Sequence, residues 1–171
     1  MPAKIVKGDI LECDAQYIVH QNNCVSHLSN YLARSVFKKF PHADIYTERA
    51  KGNYIHIPGE LYIRGNGQDQ RYVINIMGQV LPGGPGKGNI GRLQITDDAE
   101  TRLRLFSGCL DQMAQIKKLR SVAFPWKIAC GAAKGNWPDY KAVIDELADL
   151  IGDPDRPHPA EVTIIKRPQD Q

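Results

Sequence analysis

Apolar and polar positions alternate from Ala3 to Lys7 (AKIVK), the two-residue period of a strand, and Gly8-Asp9 punctuates its end. Gln16 to Val19 predicts a second short strand. From Leu28 to Phe40 the period lengthens: Leu28, Leu32, Val36, Phe37 and Phe40 form the single stripe of a helix, which Pro41 stops. Pro58 to Arg64 (PGELYIR) and Arg71 to Met77 (RYVINIM) predict two strands joined by the turn-rich GNGQDQ. The helical period returns over Asp97 to Lys118, with Leu103, Phe106, Leu110, Met113 and Ile116 inward. Thr96 or Asp97 can cap it, and Asp98 and Glu100 suit the positive end of its dipole. Ser121 to Ile128 (SVAFPWKI) is almost continuously apolar, as in a strand covered on both faces. A helix over Pro138 to Ile151, with proline in its first turn, and a strand over Glu161 to Arg167 complete the chain.

Strands alternating with helices predict a three-layer α/β/α sandwich with a mixed central sheet, in one domain over residues 1–171. In such a sheet ligands bind outside the carboxyl ends of the strands. Three exits are therefore candidates: Lys7 to Ile10, His20 to Tyr31, and Ile128 to Asn136. The longest irregular stretch, Leu81 to Gly91 (LPGGPGKGNIG), has five glycines and two prolines. It is either a surface linker or a loop flanking a ligand site, and the second is preferred because long loops in compact domains are commonly functional.

Composition narrows the classes. The chain has 171 residues, 42% hydrophobic and 24% charged, an ordinary globular balance. A net charge of +3 is too mild to argue for nucleic acid, although it would not repel a polyanion. Cys13, Cys24, Cys109 and Cys130 form neither a CxxC pair nor a zinc spacing, so no metal and no cofactor is expected. Lys4, Lys7 and Asp9 interrupt the pattern of a signal peptide, and no apolar run approaches the ~20 residues of a membrane span. A monomer in the cytoplasm, or alternatively the nucleus, is expected.

The second strand runs into His20-Gln21-Asn22-Asn23. Buried amides cost a few kcal/mol unless something bonds to them, so either backbone or a ligand satisfies these. At the third exit, Ala129, Gly131, Ala132, Ala133 and Gly135 keep side chains away from the backbone, and Lys134 adds a charge. Successive N–H groups there could cradle a phosphate, or the small residues could serve a tight strand-to-helix turn. Trp126 and Trp137 read as packing residues, and Cys24 and Cys130 as small fillers.

Three stretches together carry a likeness: VKGDI near the start, IVHQNN closing the second strand, and AFPWKIACGAAKGNW. In this order and spacing the chain resembles a macro domain from about Ile5 to Ile165. It is most similar to small stand-alone members whose third loop reads close to I-G-C-G-L-A-G-G-D-W; KKFPHADIY and YVINIMGQ also match them. The resemblance implies an ADP-ribose site. Asp9, beside Ile10, matches the carboxylate that accepts from the adenine amino group, and Asn23, next to Asn22, matches the amide on the distal ribose. Ser29, Asn30, Tyr31 and Leu32, with Cys130, Gly131, Ala132, Ala133, Lys134 and Gly135, match the loops around the pyrophosphate and that ribose, and Asn136 follows them. Some phosphatases of the family carry a histidine at the position of His20, which implies a nucleophile or general base near the 1″ position, with Asn23 orienting the ribose or a water. The other reading of His20 is a structural histidine satisfied by backbone.

The chain departs from the pattern in places. Ser29-Asn30-Tyr31 stands where glycines precede the first helix, Ala129 and Lys134 replace glycines, and Asn136 replaces an aspartate. Gly78 and Ala133 fall near the positions of the lysine–aspartate pair of the ADP-ribosyl-glutamate hydrolases, so a covalent lysine mechanism is not expected. Two functions follow: a hydrolase acting on ADP-ribose 1″-phosphate or protein-linked ADP-ribose, or a non-catalytic reader of ADP-ribose or a related nucleotide. A nucleic-acid binder comes last, since basic and aromatic residues are not interleaved.

Overall fold

The computed structural model describes residues 1–86 and 96–171. Among these, six strands form one sheet in the order β1-β6-β5-β2-β4-β3. They are β1 (Lys4–Lys7), β2 (Tyr17–Gln21), β3 (Leu61–Arg64), β4 (Tyr72–Ile76), β5 (Ser121–Pro125) and β6 (Glu161–Lys166). All neighbours pair in parallel except β3, which runs antiparallel to β4. Four helices cover the sheet: α1 (Tyr31–Lys39), α2 (Ile45–Gly52), α3 (Ala99–Met113) and α4 (Trp137–Ile151). The mixed sheet and the two helical layers are those expected from the hydropathy pattern.

Strand alternation builds both cores. Val19, Ile74, Ile76, Val122, Phe124 and Ile164 face α3 and α4, where Phe106, Leu110, Ile144 and Ile151 meet them. Their neighbours Ile18, Val73, Ala123 and Ile165 face the other way, toward Val36 and Phe37 of α1 and Ile45 and Tyr46 of α2. A strand buried on both faces is apolar at successive positions, as Ile18-Val19, Val73-Ile74 and Val122 to Phe124 are; the buried polar His20 and Asn75 interrupt the runs of β2 and β4.

Several boundaries differ from expectation; among them, α3 stops at Met113 rather than Lys118, and β3 starts at Leu61 rather than Pro58. Helix α1 begins at Tyr31 rather than Leu28, because Asn30 is extended at the N-cap position; Leu28 is left 82% exposed. Helix α3 is capped by Asp98, whose side chain accepts from the Thr101 N–H, and not by Thr96 or Asp97. The expected β5 ends three residues early, at Pro125, where the chain turns. Helix α2 was not anticipated by the pattern: Asp44 caps it through the Thr47 N–H, but Arg49 occupies its buried face and breaks the apolar stripe. Of the stretch Leu81 to Gly91, residues 87–91 lie outside the described part.

Candidate functional site

Because β1, β2, β5 and β6 are parallel, their carboxyl ends open on one side of the sheet. There they border one cleft of about 830 Å³, lined by Asp9 and Ile10 after β1, Gln21 and Asn23 at the end of β2, Asn30 to Ala33 at the start of α1, and Gly131 to Ala133 after β5. At the β1 end, Asp9 Oδ1 accepts from the Leu11 N–H at 2.9 Å, while Oδ2 has no partner among the described residues. Ile10 is buried beside it. Trp126, Arg167 and Asp170 close this end; Arg167 pairs with Asp170 at 2.9 Å, and Lys166 lies 4.4 Å from the Trp126 ring centroid.

The floor at the β2 end is a dense polar network. Asn23 Oδ1 accepts from Val25 N (3.0 Å), Ser26 N (2.8 Å) and Arg49 Nη2 (3.3 Å). Its Nδ2 and its backbone N–H both donate to Tyr46 Oη, at 3.2 and 3.0 Å. Burial raises the Tyr46 phenol, so it stays protonated. Beside Asn23, Gln21 Nε2 donates to Gln79 Oε1 at 2.7 Å and Gln79 Nε2 donates to the Leu81 carbonyl, while the buried Gln21 Oε1 has no partner among the described residues.

The remaining wall is backbone. Helix α1 opens on the cleft with no side-chain cap and no acidic residue in its first turn, which leaves its positive end unneutralised. Opposite it, the N–H groups of Cys130, Lys134 and Gly135 are spent on Lys127, Gly131 and Ala129 carbonyls. Those of Gly131, Ala132 and Ala133 have no backbone partner among the described residues. Gly135 is required at its position: a Cβ would stand 2.6 Å from the Ala129 carbonyl oxygen. Tyr31, Ala129 and Lys134, the residues that replace expected glycines, adopt φ of 53°, 65° and 58°. The glycine-type backbone is retained while the side chains differ, and the Tyr31 side chain is 78% exposed at the rim rather than folded into the cleft.

Of the residues singled out from sequence, Asp9, Ile10, Asn23, Asn30, Tyr31, Leu32, Gly131, Ala132 and Ala133 line this cleft. Asn22, Ser29, Cys130, Lys134, Gly135 and Asn136 do not. Cys130 Sγ donates to the Ile128 carbonyl, and burial pushes its thiol up to about 11. Lys134 lays its stem along Gly84, and Asn136 Nδ2 donates to Asp139.

His20 requires a correction. It is 2% exposed, does not line the cleft, and packs edge-on against Phe37 of α1. Strand alternation is the reason: His20 shares the face of Ile18, under α1. Asn75 Nδ2 donates to the Ala43 and Tyr62 carbonyls, so its Oδ1, 2.6 Å from His20 Nε2, must accept. That makes His20 the neutral Nε2–H tautomer, and burial pushes its pKa down to about 4. It is a core histidine, outside the lining of the cleft. Gln21, Tyr46, Gln79, Arg167 and Asp170 also line the cleft; Gln21, Tyr46 and Gln79 fall within IVHQNN, KKFPHADIY and YVINIMGQ but were given no role there, and Arg167 and Asp170 had no sequence signal.

No protein-family model and no curated protein matches the chain. Solved structures do. The macrodomain of Mycobacterium tuberculosis DarG superposes with a TM-score of 0.69 at 17% identity, over 95% of this chain and 97% of that one. A Trypanosoma brucei macrodomain in complex with ADP gives 0.63 at 12% identity, over 95% of this chain and 62% of that one. A mutant Oceanobacillus iheyensis macrodomain with ADPR gives 0.59 at 18% identity, over 94% and 83%. The fold is that of a macrodomain.

Proposed function

We propose that the cleft binds ADP-ribose or a derivative of it. The observation that carries this is the convergence, around one cavity, of an available carboxylate oxygen on Asp9, an anchored amide on Asn23 and the free amides of Gly131 to Ala133 facing the start of α1. These groups suit, in turn, an adenine amino group, a ribose hydroxyl and a pyrophosphate. The Trypanosoma brucei macrodomain in complex with ADP and the Oceanobacillus iheyensis one with ADPR support the same ligand class. Titration calorimetry with ADP-ribose tests it. Asp9→Ala should weaken binding by roughly 10- to 150-fold, the loss of one charge-assisted hydrogen bond. Absence of heat at millimolar ADP-ribose would remove the proposal.

Within this reading, recognition is favoured over turnover. The ionisable side chains that line the cleft among the described residues are Asp9, Tyr31, Tyr46, Lys127, Arg167 and Asp170, and none is a histidine or a glutamate. Asp9 and Asp170 belong to the β1 end, whereas the amide expected at the distal ribose is at the β2 end. Hydrolysis of ADP-ribose 1″-phosphate or of protein-linked ADP-ribose would then depend on water held by Asn23 and the loop amides. Phosphate or ADP-ribose release under saturating substrate would assign turnover, and His20→Ala would not abolish it.

A further inference from the structure

Arg49 is 0% exposed, and no carboxylate pairs with it among the described residues. A buried charge is normally paired, because desolvating it costs several kcal/mol. Here the guanidinium spends its donors on the cleft floor instead: Nε on the Ser26 carbonyl at 2.6 Å, Nη1 on the Asn23 carbonyl at 2.7 Å, and Nη2 on Asn23 Oδ1 at 3.3 Å. Its Cζ lies over the Tyr46 ring, 3.9 Å from the centroid. The group that Arg49 reaches where a counter-charge would be expected is the amide of Asn23.

This arrangement determines the polarity of two cleft groups. Asn23 Oδ1 faces three N–H donors, so the amide cannot be flipped and Nδ2 is left toward Tyr46 and the cleft. Tyr46 Oη receives two N–H donors, which occupy both its lone pairs. Its own proton has no acceptor among the described residues, and Tyr46 lines the cleft. An N–H and an O–H therefore stand side by side, above a buried positive charge.

We propose that Arg49 is a positioning residue that locks Asn23 and Tyr46 as a donor pair, so that the cleft floor recognises an oxygen acceptor on the ligand and rejects a group that can only donate. The proposal rests on ADP-ribose occupying the cleft for its affinity readout, but not for its stability readout. An aspartate at position 23 would keep one oxygen under the same three donors and give Arg49 the carboxylate it lacks, while turning the cleft-facing atom from donor to acceptor.

The test has two arms. In the ligand-free protein, Asn23→Asp should keep or raise the melting temperature at pH 7, by about 2–4 °C for each kcal/mol gained, whereas Asn23→Ala should lower it. If Asn23→Asp melts as low as Asn23→Ala, the charge relation to Arg49 is wrong whatever the ligand. In calorimetry with ADP-ribose, Asn23→Asp should lose 10-fold or more in affinity despite its stability. Arg49→Lys keeps the charge but not the fork, and should lose several-fold in affinity in the wild-type background and nothing further in the Asn23→Ala background. Additive losses in that double-mutant cycle would make Arg49 merely structural and overturn the proposal. A wild type that ignores ADP-ribose while Asn23→Asp is stabilised would reject the ligand and retain the locked donor pair.

Discussion

His20 and His56 are both buried, and burial pushes each pKa down to about 4; for His56 the neighbouring Arg49 adds to it. Arg49 Nη1 also donates to His56 Nδ1 at 3.2 Å, a bond that requires an unprotonated ring nitrogen. The folded pKa is thus below the unfolded value of about 6.5, so the unfolded chain binds protons that the native one does not. Stability is complete above about pH 6.5 and falls as the pH drops toward 4, by about 1.4 kcal/mol per pH unit for each histidine. Urea midpoints measured from pH 7 to pH 4.5 should show this acid limb. His20→Gln, whose amide can still donate to Asn75, should remove roughly half of its slope; an unchanged slope would mean that His20 is not the group responsible. A second prediction concerns Ala129, held at a φ of 65°. A left-handed non-glycine residue costs about 1–2 kcal/mol, part of which glycine returns through its unfolded-state entropy. Ala129→Gly should therefore raise the melting temperature by a few degrees in calorimetry, and a fall would show that the alanine methyl packs better than its backbone is strained. That Tyr31, Ala129 and Lys134 stand in glycine positions could be read from the sequence. That the backbone keeps the glycine conformation could not, because a dihedral angle is decided by the whole loop.

At the scale of elements, the start of α3 is tied to the loop after β4 by one ion pair. Asp98 caps the helix, which frees Asp97 to accept from Val80 N at 2.9 Å, Leu81 N at 3.0 Å and Arg102 Nη2 at 2.6 Å. Arg102 in turn donates to the carbonyls of Leu81, Gly83 and Gly84, and Gly83 lines the cleft. Both side chains are almost wholly buried. Arg102→Ala would strand the Asp97 charge and should cost about 3–5 kcal/mol in urea unfolding; a loss below about 1 kcal/mol would mean that water replaces the guanidinium. Hydropathy periodicity shows the apolar part of such elements well: the stripe of α3 and the apolar run of β5 follow from burial alone. It fails where a polar residue takes a core position. Arg49 hid α2, and Asp97 looked like a cap because nothing local reveals a partner five residues on and a loop sixteen residues back. The same limit applies to the cleft. Its backbone-rich loops could be read from their small residues, while Gln79 and Tyr46 meet Gln21 and Asn23 only through the pairing of β2 with β4 and the packing of α2.

For the whole molecule, parallel pairing of β1, β6, β5 and β2 brings loops more than a hundred residues apart in sequence to one rim, where the proposed ligand binding and the stability of the fold meet. Gly131 separates the two. A Cβ there meets nothing within 4 Å, and its φ is not in the left-handed range, so a side chain is accommodated by the backbone and projects into open space. Gly131 lines the cleft, and its free N–H belongs to the proposed phosphate cradle. Gly131→Val should then leave the ligand-free melting temperature nearly unchanged, as surface substitutions away from packed features do, within about 0.5 kcal/mol. Ligand at about 100 times its dissociation constant stabilises the wild type by about 2.7 kcal/mol, or roughly 5–10 °C for a domain of this size. In Gly131→Val that ADP-ribose shift should vanish. Gly135→Ala provides the contrast: its Cβ would meet the Ala129 oxygen at 2.6 Å and the Tyr140 ring at 2.7 Å, so the ligand-free protein itself should melt lower. A Gly131→Val protein that retains the full shift would place the ligand away from this loop, and with it the pyrophosphate away from the start of α1.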